Sequence, residues 1–94
     1  MNDPAHIEAA QSFAKRMLSH SETLAEQLSH GMLLATQQNA DVQILRELEA
    51  LYSEATENYK KHPQDAKHLA DSAEAAAMVL VANTILNLDA ALTR

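Results

Sequence analysis

Five histidines are the residues of this 94-residue chain whose side chains could bind a metal or transfer a proton near neutral pH. They form no His-Glu-x-x-His motif, no His-x-x-x-His pair and no Glu-x-x-His pair at helical spacing. Surface or helix-capping histidines are therefore the favoured interpretation, and a metal site assembled from distant helices is the alternative. The five are His6, His20, His30, His62 and His68.

A second polar group lies near the carboxyl end of the chain. Asn83 and Asn87 are four residues apart, so a helix places them on one face, and Asp89 follows. Because a buried amide is costly unless it is hydrogen-bonded, we predict that these three residues make structural polar contacts with helix ends or loop carbonyls. Contact with a polar ligand or a partner is the alternative.

No catalytic arrangement emerges from the remaining residues. The chain has no cysteine, which excludes disulfides, thiolate catalysis, zinc–thiolate sites and covalent haem attachment within it. No serine lies in a strand-to-helix elbow, so a Ser-His-Asp site is not predicted either. We expect a protein that is not an enzyme and that holds no cofactor or metal.

The charge balance excludes two classes of partner. The net charge is −6, and the acidic residues are spread through the chain. A nucleic-acid binder or a helix on an anionic membrane surface needs a basic face, so neither is expected. The longest uncharged stretch, residues 75–88, is too short to span a bilayer, and the first residues lack the pattern of a signal peptide. We therefore expect a soluble chain with no membrane insertion.

The elements that would position these residues are helices. Aromatic residues are scarce, and Leu, Ile, Val, Met and Ala recur at helical spacing, which predicts an all-α fold. We predict one domain over residues 1–94, a compact bundle of four main helices and a short helical turn. Asp3-Pro4 starts the first helix, which runs to about Leu18. Ser19, in a capping box with Glu22, or the competing Ser21 starts the second helix.

The third helix is predicted to be the longest. Asn39 or Asp41 caps it, and it ends at residues 60–63, where two lysines precede a histidine and a proline. Gly31, within the second helix, is expected to allow close approach of another helix. The apolar positions of the third helix are expected to form its buried face: Val42, Leu45, Leu48, Tyr52, Ala55 and Tyr59.

The last helix is predicted to be the centre of the bundle. Residues 64–70 can form the short helical turn, and Asp71-Ser72 then caps this helix. Residues 75–82 are eight consecutive apolar residues. A helix that is apolar nearly all round is surrounded by its neighbours.

An interaction surface is expected where the apolar residues exceed what one core can take. Three consecutive large apolar residues, Met32, Leu33 and Leu34, cannot all face the same core. The stripe formed by Ile7, Phe13 and Met17 is a second candidate for an exposed patch.

Three segments, in order, resemble a known family. Residues 2–10 (NDPAHIEAA) resemble a pattern of Leu-Asn-Asp-Pro, two variable residues and Val-Glu-Ala-Ala-Arg. Residues 51–63, with Leu-Tyr, Tyr and His-Pro, and residues 81–89 (VANTILNLD) resemble two further motifs of that family. It comprises large exported planctomycete-type proteins of unknown function, and the similar region is their carboxyl-terminal helical part.

The resemblance implies a fragment or compact relative of that carboxyl-terminal region. Members often carry a cytochrome-c-like haem domain upstream, so a haem site would lie outside this chain, and the location would be exported, periplasmic or on the cell surface. The family's turn between its second and third helices and its longer loop before the last helix are replaced here by residues 37–40 and 71–72. Roles of those loops therefore do not carry over.

Two functions are expected from these observations. The first is a non-catalytic structural or protein-interaction module that packs against other domains of its parent protein or forms a homo-oligomer. The alternative is a metal- or ligand-binding accessory domain of a redox or hydrolytic enzyme, which would bring histidines together with the polar residues of the last helix.

Overall fold

The computed structural model describes the backbone of residues 4–92 and the side chains of residues 7–88. Helices and their connections account for this range, and no strand occurs within it. The predicted all-α class is confirmed, with four main helices and one short helix. The helices are α1 (Pro4–His20), α2 (Leu24–Thr36), α3 (Val42–Lys61), α4 (Pro63–Lys67) and α5 (Ala73–Leu92).

The start of α2 differs from the prediction. Helix α1 begins at Pro4, as expected, but it continues through Ser19, whose hydroxyl donates to the carbonyl of Lys15 at 2.7 Å. The cap of α2 is Thr23, whose Oγ1 accepts from the backbone N–H of Glu26 at 3.4 Å and donates to its carboxylate at 3.1 Å. The predictions of Ser19 and Ser21 as caps are therefore wrong. The predicted cap of α1, Asp3, lies outside the described residues.

The other helix ends follow the sequence signals. Of the two caps left open for α3, the structure has Asp41, whose Oδ1 accepts from the N–H of Gln43 at 2.8 Å. Helix α3 ends at Lys61, before the proline. Ser72 caps α5, since its hydroxyl accepts from the N–H of Ala75 at 3.0 Å. Helix α2 ends on Gln37, which adopts a left-handed conformation with φ of 59°.

Helix α5 is the core element, as predicted. It contacts each of the other four helices. Its buried residues form a nearly continuous set from the first turn to the middle of the helix, so burial is not restricted to one stripe. Those with no exposed surface are Ala76, Ala77, Met78, Val81, Ala82 and Ile85.

Helices α1 and α2 are in contact and form a close hairpin joined by residues 21–23. Gly31 is buried against the side chain of Met17, and a Cβ at position 31 would lie 2.7 Å from Met17 Cε and 2.8 Å from its Sδ. The amide of Gln27 closes the turn by donating to the carbonyl of Ser21 at 2.6 Å. The glycine therefore allows the close approach that its position suggested.

Candidate functional site

The predicted polar residues of α5 do not occupy one environment. Asn83 is half-buried and Asn87 is exposed, and each interacts with other groups of the chain. The side chain of Asp89 lies outside the described residues. The structural role predicted for these three residues remains a prediction. Of the two whose side chains are described, only Asn83 lies at the edge of the core.

The three residues of the predicted interaction surface on α2 differ in burial, because consecutive residues of a helix lie on different faces. Met32 is buried in the core, Leu34 is half-buried, and Leu33 keeps 44% of its surface exposed. Helix α2 therefore presents only Leu33 of the three as a large exposed apolar side chain.

The second predicted patch, along α1, is wrong. Phe13 and Met17 are buried in the core, and Met17 has no exposed surface. Ile7 is half-buried. The stripe is used to pack α1 against the rest of the bundle, so it is not free to meet a partner.

Val42 is exposed although the sequence pattern assigned it to the buried face of α3. It retains 63% of its surface, whereas Leu45 is half-buried and Leu48 is buried. Burial thus increases along α3, because the first residue of the helix lies beyond the core. Leu33 lies in the last turn of α2 and Val42 is the first residue of α3, on either side of the connection formed by residues 37–41. We call these two residues and that connection the α2–α3 corner.

Two histidines that are ten residues apart meet across the α1–α2 hairpin. The rings of His20 and His30 are stacked, with centroids 3.7 Å apart and planes inclined by 3°. Partial burial of His30 lowers its pKa, and the neighbouring His20 and the Arg16 guanidinium lower it further. These conditions favour the neutral form of the His30 imidazole at neutral pH.

None of the described residues that line the depression around this histidine pair is a carboxylate. Lys15, Arg16 and Ser19 line the same shallow depression. The Ser19 hydroxyl proton is directed to the Lys15 carbonyl, so the serine is not paired with a histidine base. Two cations beside the rings oppose a metal ion. Within the described part of the chain, no three His, Asp or Glu residues are grouped to hold one.

Two other histidines, His62 and His68, do not line the depression that holds this pair. His62, which caps α3 and precedes α4, and His68, just after α4, are exposed. The side chain of His6 lies outside the described residues. Among the four histidines whose side chains the structure describes, it brings together two, His20 and His30.

The two tyrosines of α3 occupy the rim of the core. Both are half-buried, and burial raises the pKa of Tyr52 and of Tyr59. The Tyr52 carbonyl accepts from the Thr56 hydroxyl at 2.8 Å. This placement matches the usual role of tyrosine, in which the ring packs and the hydroxyl reaches the surface.

A cleft of about 450 Å³ lies between α1, residues 67–71 and the first turns of α5. We call it the α1–α5 cleft. Gln11 connects two walls of the cleft, since its side-chain amide donates to the carbonyl of Leu69 at 2.8 Å, 58 positions away in sequence. The sequence pattern did not reveal this cleft, because its lining comes from three separate segments. Its lining residues include Ala14, Lys15, Leu18, Lys67, His68, Asp71, Ala75 and Val79.

Comparisons with known proteins add no further assignment. No protein-family model, curated protein or solved structure matches this chain. Within the range that the structure describes, none of the helices combines the length and the hydropathy that spanning a bilayer requires.

Proposed function

We propose that this chain is a non-catalytic helical module that binds another protein surface through the α2–α3 corner. The observation that carries this proposal is the exposure of Leu33 and Val42 on the two sides of one short connection. Covering large aliphatic side chains that are exposed to water on a small protein is favourable, so it contributes to the free energy of binding a partner.

The rest of the bundle supports an interaction role for this corner in particular. Of the three exposed large apolar residues that the structure describes, two lie at this corner and the third, Leu88 on α5, is the least exposed at 37%, while Phe13 and Met17 of α1 are buried in the core. The left-handed Gln37 ends α2, and Asp41 caps α3, so both sides of the corner have defined backbone geometry. A fixed surface loses less conformational entropy on binding than a flexible one.

The family resemblance suggests the setting for this module. Residues 2–10, 51–63 and 81–89 are similar to the carboxyl-terminal helical part of large exported planctomycete-type proteins. In such a protein, the partner surface is supplied by other domains of the same chain. In the isolated chain, the exposed corner pairs with a second copy of itself, since symmetric pairing is the commonest form of self-association.

Self-association tests this proposal. Light scattering on a sizing column and concentration-dependent NMR shifts would be measured from micromolar to millimolar chain. We expect a weak dimer whose shifts centre on residues 33–42. Leu33→Lys and Val42→Lys should each return the chain to a monomer, because each places a charge in the contact.

Two matched variants control for the added charge. Ala25 on α2 and Ala50 on α3 are exposed and lie outside the corner, so Ala25→Lys and Ala50→Lys should leave the dimer intact. A chain that stays monomeric at millimolar concentration contradicts the proposal. Equal loss of dimer in the corner variants and the control variants would also contradict it, because net charge alone would then explain the effect.

A further inference from the structure

The α1–α5 cleft combines an apolar floor with a cationic rim. Ala14, Leu18 and Val79 supply apolar lining, while Lys15 and Lys67 supply two ammonium groups. Its volume of about 450 Å³ falls within the usual range of small-molecule sites, roughly 300–1,000 Å³. Such a combination suits a ligand with an apolar body and a charged end.

The charge of the lining is opposite to that of the whole chain. The chain has 13 Asp and Glu residues against 7 Lys and Arg residues. The lining of the cleft contains two ammonium groups, those of Lys15 and Lys67, and a single carboxylate, that of Asp71. Two ammonium groups and one carboxylate give the lining a net positive charge, which attracts an anion more strongly than a cation. The ligand selected by this lining is therefore an anion.

The walls of the cleft are held in place by hydrogen bonds. The bond from Gln11 Nε2 to the Leu69 carbonyl, at 2.8 Å, joins α1 to the segment that precedes α5. Within that segment, the N–H groups of Leu69 and Ala70 donate to the carbonyl of Ala66 at 3.0 and 2.9 Å. A site with fixed walls loses little conformational entropy when a ligand enters.

We propose that the α1–α5 cleft binds a small organic carboxylate with an apolar chain. The carboxylate lies at the rim between Lys15 and Lys67, and the hydrocarbon chain covers Ala14, Leu18 and Val79. The lysines supply compact point charges suited to an anionic group, while the floor contributes the hydrophobic part of the binding. This site shares no residue with the α2–α3 corner, so it stands independently of the proposed interaction role.

Titration with octanoate, followed by backbone amide NMR shifts, tests this inference. We expect saturable shifts centred on residues 14–18 and 67–79, with a dissociation constant on the order of millimolar for so small a ligand. Octanol, which lacks the charge, and sulfate, which lacks the chain, should each bind at least about tenfold more weakly. Equal binding of octanol, or shifts spread over the whole protein, would overturn the proposal.

Charge-reversal variants separate the cleft from general electrostatics. Lys67→Glu and Lys15→Glu should each weaken octanoate binding by about tenfold. Lys60→Glu makes the same change in net charge at the end of α3, outside the cleft lining, and should have little effect. If Lys60→Glu weakened binding as much as Lys67→Glu, the cleft assignment would be wrong.

A filling variant tests the floor without changing any charge. Ala75 is half-buried in the cleft lining, so Ala75→Leu should fill the space and abolish saturable octanoate binding. Ala25→Leu, on the exposed side of α2, is its matched control and should bind normally. Circular dichroism melts establish that each variant is folded before it is titrated. Retained binding in a folded Ala75→Leu protein would overturn the assigned position of the ligand.

Discussion

Replacing Gly31 by alanine tests how closely α1 and α2 are packed. The added methyl carbon would lie 2.7 Å from Met17 Cε and 2.8 Å from Met17 Sδ. Carbon atoms in good contact lie about 3.5–4.0 Å apart, so the hairpin must open slightly or Met17 must change its rotamer. Met17 has no exposed surface, which leaves it little space to move.

Two opposing terms decide the magnitude. Forcing an extra methyl group into a well-packed core costs about 1–3 kcal/mol of stability. Replacing glycine by alanine inside a helix returns about 1 kcal/mol through helix propensity. We therefore expect Gly31→Ala to lower the free energy of unfolding by about 1 kcal/mol, whereas helix propensity alone predicts an increase of similar size.

A double-mutant cycle with Met17→Ala identifies the cause. Met17→Ala should itself cost about 2–5 kcal/mol. In that background the clash is absent, so Gly31→Ala should stabilise the protein by about 1 kcal/mol. Urea denaturation followed by circular dichroism measures all four proteins. If Gly31→Ala has the same effect in both backgrounds, within about 0.5 kcal/mol, the close contact does not control this position.

Three further predictions concern a cap, a histidine and the core. Thr23→Ala should lower the free energy of unfolding, measured by urea denaturation, by about 1 kcal/mol, whereas Ser19→Ala should lower it little. The reverse order would show that Ser19, the cap predicted from sequence, is the cap of α2. His30 should titrate by NMR below its ordinary pKa of 6.5, because burial and the neighbouring His20 and Arg16 disfavour its charged form. Its contribution to the free energy of unfolding is therefore complete above pH 6.5 and is lost as the pH falls through the lower folded-state pKa. An unshifted titration would contradict the burial of this ring. Val81→Asp should abolish folding because it buries an unpaired charge, while Leu88→Asp, at a position 37% exposed, should give dispersed NMR spectra; a folded Val81→Asp protein would show that α5 is not central.

The fold was predictable where one physical effect dominated. The uninterrupted apolar residues 75–82 have no polar face to give to solvent, so a central position is the only one that satisfies them. Pro63 has no N–H to donate and its ring clashes with the preceding turn, so a helix end just before it was expected, and α3 ends at Lys61. Asp41 and Ser72 cap their helices because the first turn needs side-chain acceptors.

The predictions failed where two local signals competed. Ser19 with Glu22 and Thr23 with Glu26 both match the capping-box spacing, and the sequence does not rank them. The structure extends α1 through Ser19, which moves the cap to Thr23. Val42 has the correct spacing for the buried face of α3, but periodicity gives the direction of a side chain and not the length of the core along the helix.

The candidate sites were less predictable than the fold, because both depend on contacts between separate segments. Nothing in the spacing of His20 and His30 relates them until the hairpin places their rings 3.7 Å apart. The α1–α5 cleft joins Gln11 to Leu69 across 58 positions of sequence. Such pairings follow from tertiary packing, which a single sequence specifies only indirectly.

Most of the residues that form the core of this chain lie outside the two proposed binding surfaces. Helix α5 supplies most of the fully buried side chains, and its buried part contains no ionisable residue. Exposed apolar groups at the α2–α3 corner and clustered cations at the α1–α5 cleft contribute little to that core. Because the two surfaces have no residue in common, a change at one can be made without removing the other. The proposals of self-association and of carboxylate binding are therefore independent, and a negative result for one leaves the case for the other unchanged.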